Sequence, residues 1–505
     1  MRCPIARNCQ ACTAASRREF LAALGAAPLS ASVLRGQTAA AGPQRQPPVR
    51  LPLTVQPVLI YSISRRREAW SWRPWGGLLS EQDAAQEKER IGRELAEMAR
   101  QADFPLQVLP LAAARNAEEA AAVAKGAYDV PILYAASGPL GALEVLAADR
   151  KWNLMFVRHR SGPVYLWYEI AHPRFLRKTV DEYGQANMDV HDVVVDSHAE
   201  LLWRLRALAA LKNTLGKRIV AVGGPSGWGA GGKLAPERAR QVFQLDIRTV
   251  PYADLGERIK RARADEGLVR RAHAAAEAYL KQKGVRLETS KHFVLNAFVL
   301  TEVFRDLLDE ARTDAITINQ CMGTIMPLSE TTACLPLSLL NDEGYMAFCE
   351  SDFVVIPSGI LLHYVAGKPV FLNDPTWPHD GVVTIAHCTA PRKMDGKTPE
   401  PVRILTHFES DYGAAPKVEM RKGAPVTNLI PDFEFRRWLG FAGEVVDNPF
   451  LHICRSQVDV SIRGDLDKLV EQMRGFHWMT SYGSYLKEAG YALRKLGIEF
   501  TNVSA

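Results

Sequence analysis

From residue 56 onward, short apolar runs of strand length alternate with longer amphipathic stretches. This alternation constrains the fold more than any other feature of the sequence. Residues 57–62, 106–109, 130–135 and 154–157 are strand-like, and 81–101, 116–125 and 140–147 carry helical period between them. Strands separated by helices imply a parallel sheet covered on both faces. A second cycle opens near His198. There, 201–215 reads as helix, 218–222 as strand, 245–250 as strand, 254–283 as mostly helix, 292–311 as an amphipathic helix and 315–319 as strand. After about residue 380 the segments become short and β-rich (382–387, 402–407, 417–420, 444–446, 458–462), and one helix, 482–496, closes the chain. The expected class is α/β. Two Rossmann-like parallel α/β domains (56–190 and 191–378) precede a mostly β C-terminal domain (379–505) with a terminal helix.

The first forty residues read differently. Ser16-Arg17-Arg18-Glu19-Phe20-Leu21 precedes an apolar, small-residue run from 21 to 34, and Ala39-Ala40-Ala41 follows as a small-x-small cleavage pattern. A charged start, a short apolar middle and this ending make an export signal over 1–41, and the paired arginines make it the twin-arginine type. Residues 42–55, with Pro43, Pro47, Pro48 and Pro52, form a Pro-rich linker. The expectation is a periplasmic protein, handled by the twin-arginine export machinery and without a permanent membrane anchor. No run of 18 apolar residues could serve as a spanning helix.

Charge and cysteine usage agree with this division. Residues 1–50 hold seven arginines against one acid, Glu19, an excess equal to the whole chain's net +6. The body is therefore neutral and gives no electrostatic reason to expect a nucleic-acid partner. Three cysteines (Cys3, Cys9, Cys12) lie in the leader. Five (Cys321, Cys334, Cys349, Cys388, Cys454) lie in the body, an odd count without paired spacing that argues against a disulfide framework.

The stretch richest in chemistry runs from Cys349-Glu350-Ser351-Asp352 to Asn373-Asp374. Glu350 stands at the end of a strand-like run over 345–349, Ser351 is a candidate helix cap, and 353–365 is an apolar helical run with a possible kink site at Pro357. Gly367 and Pro369 stop it, and 370–372 reads as the next strand. One βαβ unit would then separate Glu350 from Asp374, 24 residues on, and bring both carboxylates to one edge of neighbouring parallel strands. Two such carboxylates must share a cation or a proton. On spacing alone, a surface acid at Glu350 and a turn residue at Asp374 before Pro375 are the commoner reading, because acidic residues often punctuate loops. His387, 13 residues beyond Asp374, and His477 in Gly475-Phe476-His477-Trp478 could complete a site; His407 is a weaker candidate. Carboxylates with imidazole suit Mn²⁺, Co²⁺ or Fe²⁺ better than a structural zinc.

Taken in order, three segments resemble the L-fucose isomerase and L-arabinose isomerase superfamily of metal-dependent ketol isomerases. They are Leu340-Asn341-Asp342-Glu343-Gly344 with Cys349-Glu350-Ser351-Asp352, then Asp374, then Gly475-Phe476-His477-Trp478 with Tyr482-Gly483-Ser484-Tyr485 and Leu496-Gly497-Ile498-Glu499. The resemblance spans 56–505. It implies that Glu350, Asp374 and His477 ligate a divalent metal, most simply Mn²⁺, and that His387 is a further ligand or a substrate contact. It also implies that Glu350 and Asp374 act as the acid/base pair on a free pentose or deoxyhexose, and that the protein is a homo-oligomer, a trimer or hexamer.

Two further features fit a sugar substrate. Trp228 lies in the loop Gly223-Gly224-Pro225-Ser226-Gly227-Trp228-Gly229, which lacks the nucleotide-binding glycine patterns. Trp75 and Arg73 belong to an aromatic loop with Trp70 and Trp72, and CH faces of sugars pack on indole. A non-catalytic periplasmic carbohydrate-binding protein, or another metal-dependent sugar enzyme such as a hydrolase or epimerase, remains an alternative on the same residues.

Overall fold

The computed structural model describes Pro47 and residues 49–148, 152–176 and 187–504. The export signal expected at 1–41 and the start of the linker lie outside the described residues.

Two parallel sheets come first. One runs in the order Leu106–Val108, Leu53–Ile60, Val130–Ala135, Leu154–Val157 and Val193–Val195, with Ala112–Ala114 pairing the far end of Leu53–Ile60. Val130–Ala135 is buried at every residue, as a strand covered on both faces must be. The helix Glu81–Gln101 begins with a reciprocal cap between Ser80 and Asp83. The second sheet has the order Met346–Phe348, Ala315–Ile318, Arg218–Val222, Asp246–Val250, again all parallel.

The C-terminal part is an antiparallel barrel. Pro425–Ile430, Trp478–Tyr482, Phe371–Pro375, Val382–His387, Ser456–Ser461 and Arg437–Asp447 follow one another, and Pro425–Ile430 pairs Arg437–Asp447 to close the ring. Closure leaves none of these six strands with an open edge. The backbones approach closely. A Cβ on Gly443 would stand 2.0 Å from the Ser461 carbonyl oxygen, so only glycine fits there. A small third sheet joins Val285–Leu287, Val402–Leu405 and Ala415–Val418.

The expected α/β class with a β-rich C-terminal part is what the chain forms. Four local expectations are corrected. Phe371–Pro375 does not return to the parallel sheet beside Met346–Phe348. It enters the barrel, between Val382–His387 and Trp478–Tyr482. An apolar strand carries no mark of the direction of its partner, so its pattern could not exclude the βαβ reading. Ser351 does not cap the following helix, which is Ile356–Ala366, and Pro357 lies in its first turn rather than kinking it. The helix at the C-terminus is Leu486–Lys495, and a strand, Glu499–Asn502, follows it and pairs with Arg437–Asp447.

Ile356–Ala366 is the seam between the second parallel sheet and the barrel. All eleven of its residues are buried, as expected of a helix apolar on every side. A Cβ on Gly359 would come within 2.5 Å of Met479 Cε, in the barrel, and 2.7 Å of Phe348 Cε1, in the parallel sheet. The missing side chain lets the helix wedge between both layers. Gly367, in the left-handed conformation at φ 66°, ends it with its N–H on the His363 carbonyl.

Candidate metal centre

The barrel places three of the expected residues at one end of three adjacent strands. Asp374 lies on Phe371–Pro375 opposite Ala386, so His387, last residue of Val382–His387, is beside it. On the other side Asn373 faces Trp478, which brings His477 level with Asp374. Glu350 arrives from the parallel sheet, just past Met346–Phe348. The route to convergence thus differs from the expected crossover, but Glu350, Asp374, His387 and His477 do meet.

Glu350, His387 and His477 each offer a ligand atom within 4.8 Å of the other two, so this group could hold a metal ion. His387 Nε2 is 3.6 Å from Glu350 Oε1, and His477 Nε2 is 3.5 Å from Glu350 Oε2 and 3.2 Å from Asp374 Oδ1. Both imidazoles are fully buried, whereas the two carboxylate side chains are about a third exposed (29% and 32%). The imidazoles form the floor and the acids the rim. His387 Nε2, His477 Nε2 and Asp374 Oδ1 are buried with no hydrogen-bond partner. Orphaned buried polar atoms are uncommon, and two imidazole nitrogens close to one carboxylate, with a second carboxylate oxygen beside them, fit a cation.

The electrostatics fit as well. Burial pushes the Glu350 carboxyl up, but the imidazoles of His387 and His477 more than reverse this and hold it well below the usual carboxylate range. Burial lowers His477, yet Asp352, Glu350 and Asp374 lift it to about 10. Burial likewise lowers His387, and Glu350 and Asp374 carry it to about 9. Asp374 is raised, by burial and by Glu350, despite both imidazoles. The carboxylates around the two histidines thus favour a positive charge at this point.

Asp352 is the residue that motif reasoning did not single out. It is 1% exposed, and the Nδ1–H of His477 donates to its Oδ2 at 2.7 Å. Its other oxygen accepts the N–H groups of Trp228, at 3.2 Å, and Val354, at 3.0 Å. A carboxylate on Nδ1 leaves the Nε2 lone pair free to face a metal, the usual arrangement behind a ligating histidine. Its position two residues beyond Glu350 was the available signal.

The local backbone is held in an unusual shape. Glu350 (φ 63°) and Ser351 (φ 48°) are consecutive non-glycine residues in the left-handed region. Such strain persists only where surroundings over-determine it. Here Ser226 N–H donates to the Ser351 carbonyl and Phe353 N–H to the Ser226 carbonyl, fastening the segment to the Gly-rich loop. That loop delivers Trp228, whose indole N–H donates to Glu350 Oε2 at 2.7 Å. Trp228 also stacks on Phe476 at 4.1 Å between ring centroids, and both rings are half-exposed.

Arg73 and Trp75 are elsewhere. They follow the strand Leu53–Ile60 of the first sheet. Arg73 lies over the Trp72 ring, and Trp75 is exposed. Among the described residues, no hydrogen bond, ion pair or ring contact of theirs reaches the Glu350 group. His407 is buried, with Nδ1 3.2 Å from Ser410 Oγ, and is not part of the group. All five body cysteines are free thiols. No helix of the described residues is long and apolar enough to cross a membrane. No family model matches this chain, and a search of curated proteins also finds no match.

Proposed function

We propose that the protein is a metal-dependent ketol isomerase acting on a free pentose or deoxyhexose. One observation carries this reading: Glu350, His387 and His477 can each present a ligand atom to one point, rimmed by a second carboxylate, Asp374, and the Nε2 atoms of both histidines have no hydrogen-bond partner. The donor set of carboxylate and imidazole nitrogen, without thiolate, suits Mn²⁺, Co²⁺ or Fe²⁺, and the resemblance to the isomerase superfamily selects Mn²⁺ among them. A divalent cation held by Glu350, His387 and His477, with Asp374 beside it, supplies Lewis-acid polarisation of a sugar carbonyl.

The chain's own residues account for the rest. Aldose–ketose exchange moves one proton between C1 and C2 through an enediol. It needs one group inclined to hold a proton and one inclined to stay ionised. The environments of Asp374 and Glu350 are split in that sense, the first raised by burial, the second lowered by two imidazoles. Asp352 holds His477 in register, and the half-exposed Trp228–Phe476 stack offers a face for the sugar's CH groups. The loose resemblance of segments 340–352, 374 and 475–499 to the fucose/arabinose isomerase superfamily supports the same reading. With it go Rossmann-like parallel units and a trimeric or hexameric assembly. The leader supports export to the periplasm.

The test is a panel of free pentoses and deoxyhexoses, incubated with chelator-treated and Mn²⁺-reloaded protein, with products resolved by chromatography. Interconversion of an aldose and its ketose that EDTA abolishes and Mn²⁺ restores is expected. Glu350→Gln should lower turnover by roughly 10²–10⁴-fold. Turnover untouched by that substitution would end the proposal. Sugar binding indifferent to chelator, without turnover, points to a binding protein, and epimers or cleavage products point to a different metal enzyme.

A further inference from the structure

We infer that Cys321 and Cys349 form a reversible oxidation site, a disulfide that opens and closes beneath the metal centre. The two sulfurs are 3.5 Å apart. A disulfide bond is about 2.05 Å long, so they need approach by only about 1.5 Å. Each cysteine lies just past the C-terminal end of one of two adjacent parallel strands, Ala315–Ile318 and Met346–Phe348. The segment after the first strand is a single π-helical turn, Cys321–Ile325, preceded by Gln320 at φ 49°. Irregular helix of this kind shifts more readily than a regular ladder. Cys321 is itself buried in the core, so closing the gap moves Cys349 as well.

The consequence falls on Glu350. Cys349 precedes it directly, and Glu350 and Ser351 both hold left-handed backbone. A pull on Cys349 toward Cys321 passes into that strained pair and displaces the Glu350 carboxylate relative to His387 and His477. A third thiol, Cys388, follows His387, with its sulfur 3.7 Å from His387 Nδ1. Two ligands of the centre thus each adjoin a buried thiol. This coupling, unlike the disulfide itself, rests on the metal-centre reading.

The chemistry balances with a hydroperoxide or an external disulfide as oxidant. The two thiols give up two protons and two electrons and join S to S. Hydrogen peroxide takes them up and leaves as two waters, an organic hydroperoxide leaves as one water and an alcohol, and an external disulfide leaves as two thiols.

The full chain is treated with hydrogen peroxide or oxidised dithiothreitol and digested under thiol-blocking conditions, and its cysteine peptides are mapped by mass spectrometry. Mn²⁺ binding is then titrated before and after. A peptide pair linking Cys321 to Cys349 is expected, reversed by dithiothreitol, together with about tenfold or greater loss of Mn²⁺ affinity. Cys321→Ser should form no linkage and keep its Mn²⁺ affinity under the same treatment; Cys321→Ala serves if the serine variant fails to fold. An unlinked Cys349, or its linkage only to Cys388, overturns the site. Linkage of Cys321 to Cys349 with unchanged Mn²⁺ affinity overturns the coupling. A chain that links these residues but never binds Mn²⁺ keeps the oxidation site and loses the metal centre.

Discussion

Replacing Asp352 by asparagine tests the logic of the centre without removing a ligand. Asp352 has no exposed surface to speak of, and its two oxygens have separate duties. Oδ1 accepts two backbone N–H groups, from Trp228 and Val354, and Oδ2 accepts Nδ1–H of His477. An asparagine must choose. With its oxygen on the two N–H groups, its amide nitrogen faces Nδ1 and donates to it, forcing the imidazole proton onto Nε2, the atom that should bind metal. With the amide flipped, its NH₂ meets two backbone donors and leaves them unpaired in a buried place. Either outcome penalises metal binding. Loss of a group that orients a ligating histidine costs typically 10–100-fold in affinity, which is about 1.4–2.8 kcal/mol. Calorimetric titration of Mn²⁺ into chelator-treated wild type and Asp352→Asn measures it directly, and circular dichroism checks that the variant folds. A folded variant that binds Mn²⁺ within twofold of wild type refutes the tautomer argument and the centre built on it.

Three further outcomes follow from the same geometry. Because protons occupy His387 up to about pH 9 and His477 up to about pH 10, Mn²⁺ must displace both, and its affinity should climb by up to about 100-fold per pH unit below pH 9; a flat profile between pH 6 and 8 contradicts this. Gly359→Ala pushes a methyl group into Met479 and Phe348 and should destabilise by about 1–3 kcal/mol, read by chemical denaturation. Glu400, pushed up to about 7 by burial while it accepts from Tyr482 and Arg421, holds its proton in the folded state over a range where the unfolded chain has lost it. Stability should therefore fall by up to about 3 kcal/mol as pH rises from about 4.5 to 7. Glu400→Gln should abolish that slope.

Much of this was legible in the chain. Continuous apolar runs such as Val130–Ala135 and Leu154–Val157, alternating with amphipathic stretches, read as buried strands of an α/β sheet, and they are. The four residues of the centre could be named because carboxylate and imidazole placed at strand ends are chemically conspicuous. Their meeting could not be derived correctly, because pairing direction is a tertiary property. Phe371–Pro375 has the same apolar face whichever sheet it joins, and the barrel strands that claim it lie as far away in sequence as Trp478. Asp352 escaped notice for a related reason. A buried acid and a surface acid look alike until the partner 125 positions away is in place. Arg73 and Trp75 show the converse, where suitable chemistry in the sequence lies on a different sheet from the site it seemed to suit.

The centre straddles a seam. Glu350 belongs to the edge of a parallel sheet, while His387 and His477 are anchored in the barrel. An ion gripping all three would rivet two layers that already share a continuous apolar core, in which Ile316 and Ile318 of the sheet join Val383 and Ile385 of the barrel. Each layer would then have to let go before the other could unravel, and every tenfold excess of free ion over its dissociation constant would add about 1.4 kcal/mol against melting. The loaded chain should melt at a higher temperature than the stripped one, by an amount that grows with the concentration of free ion.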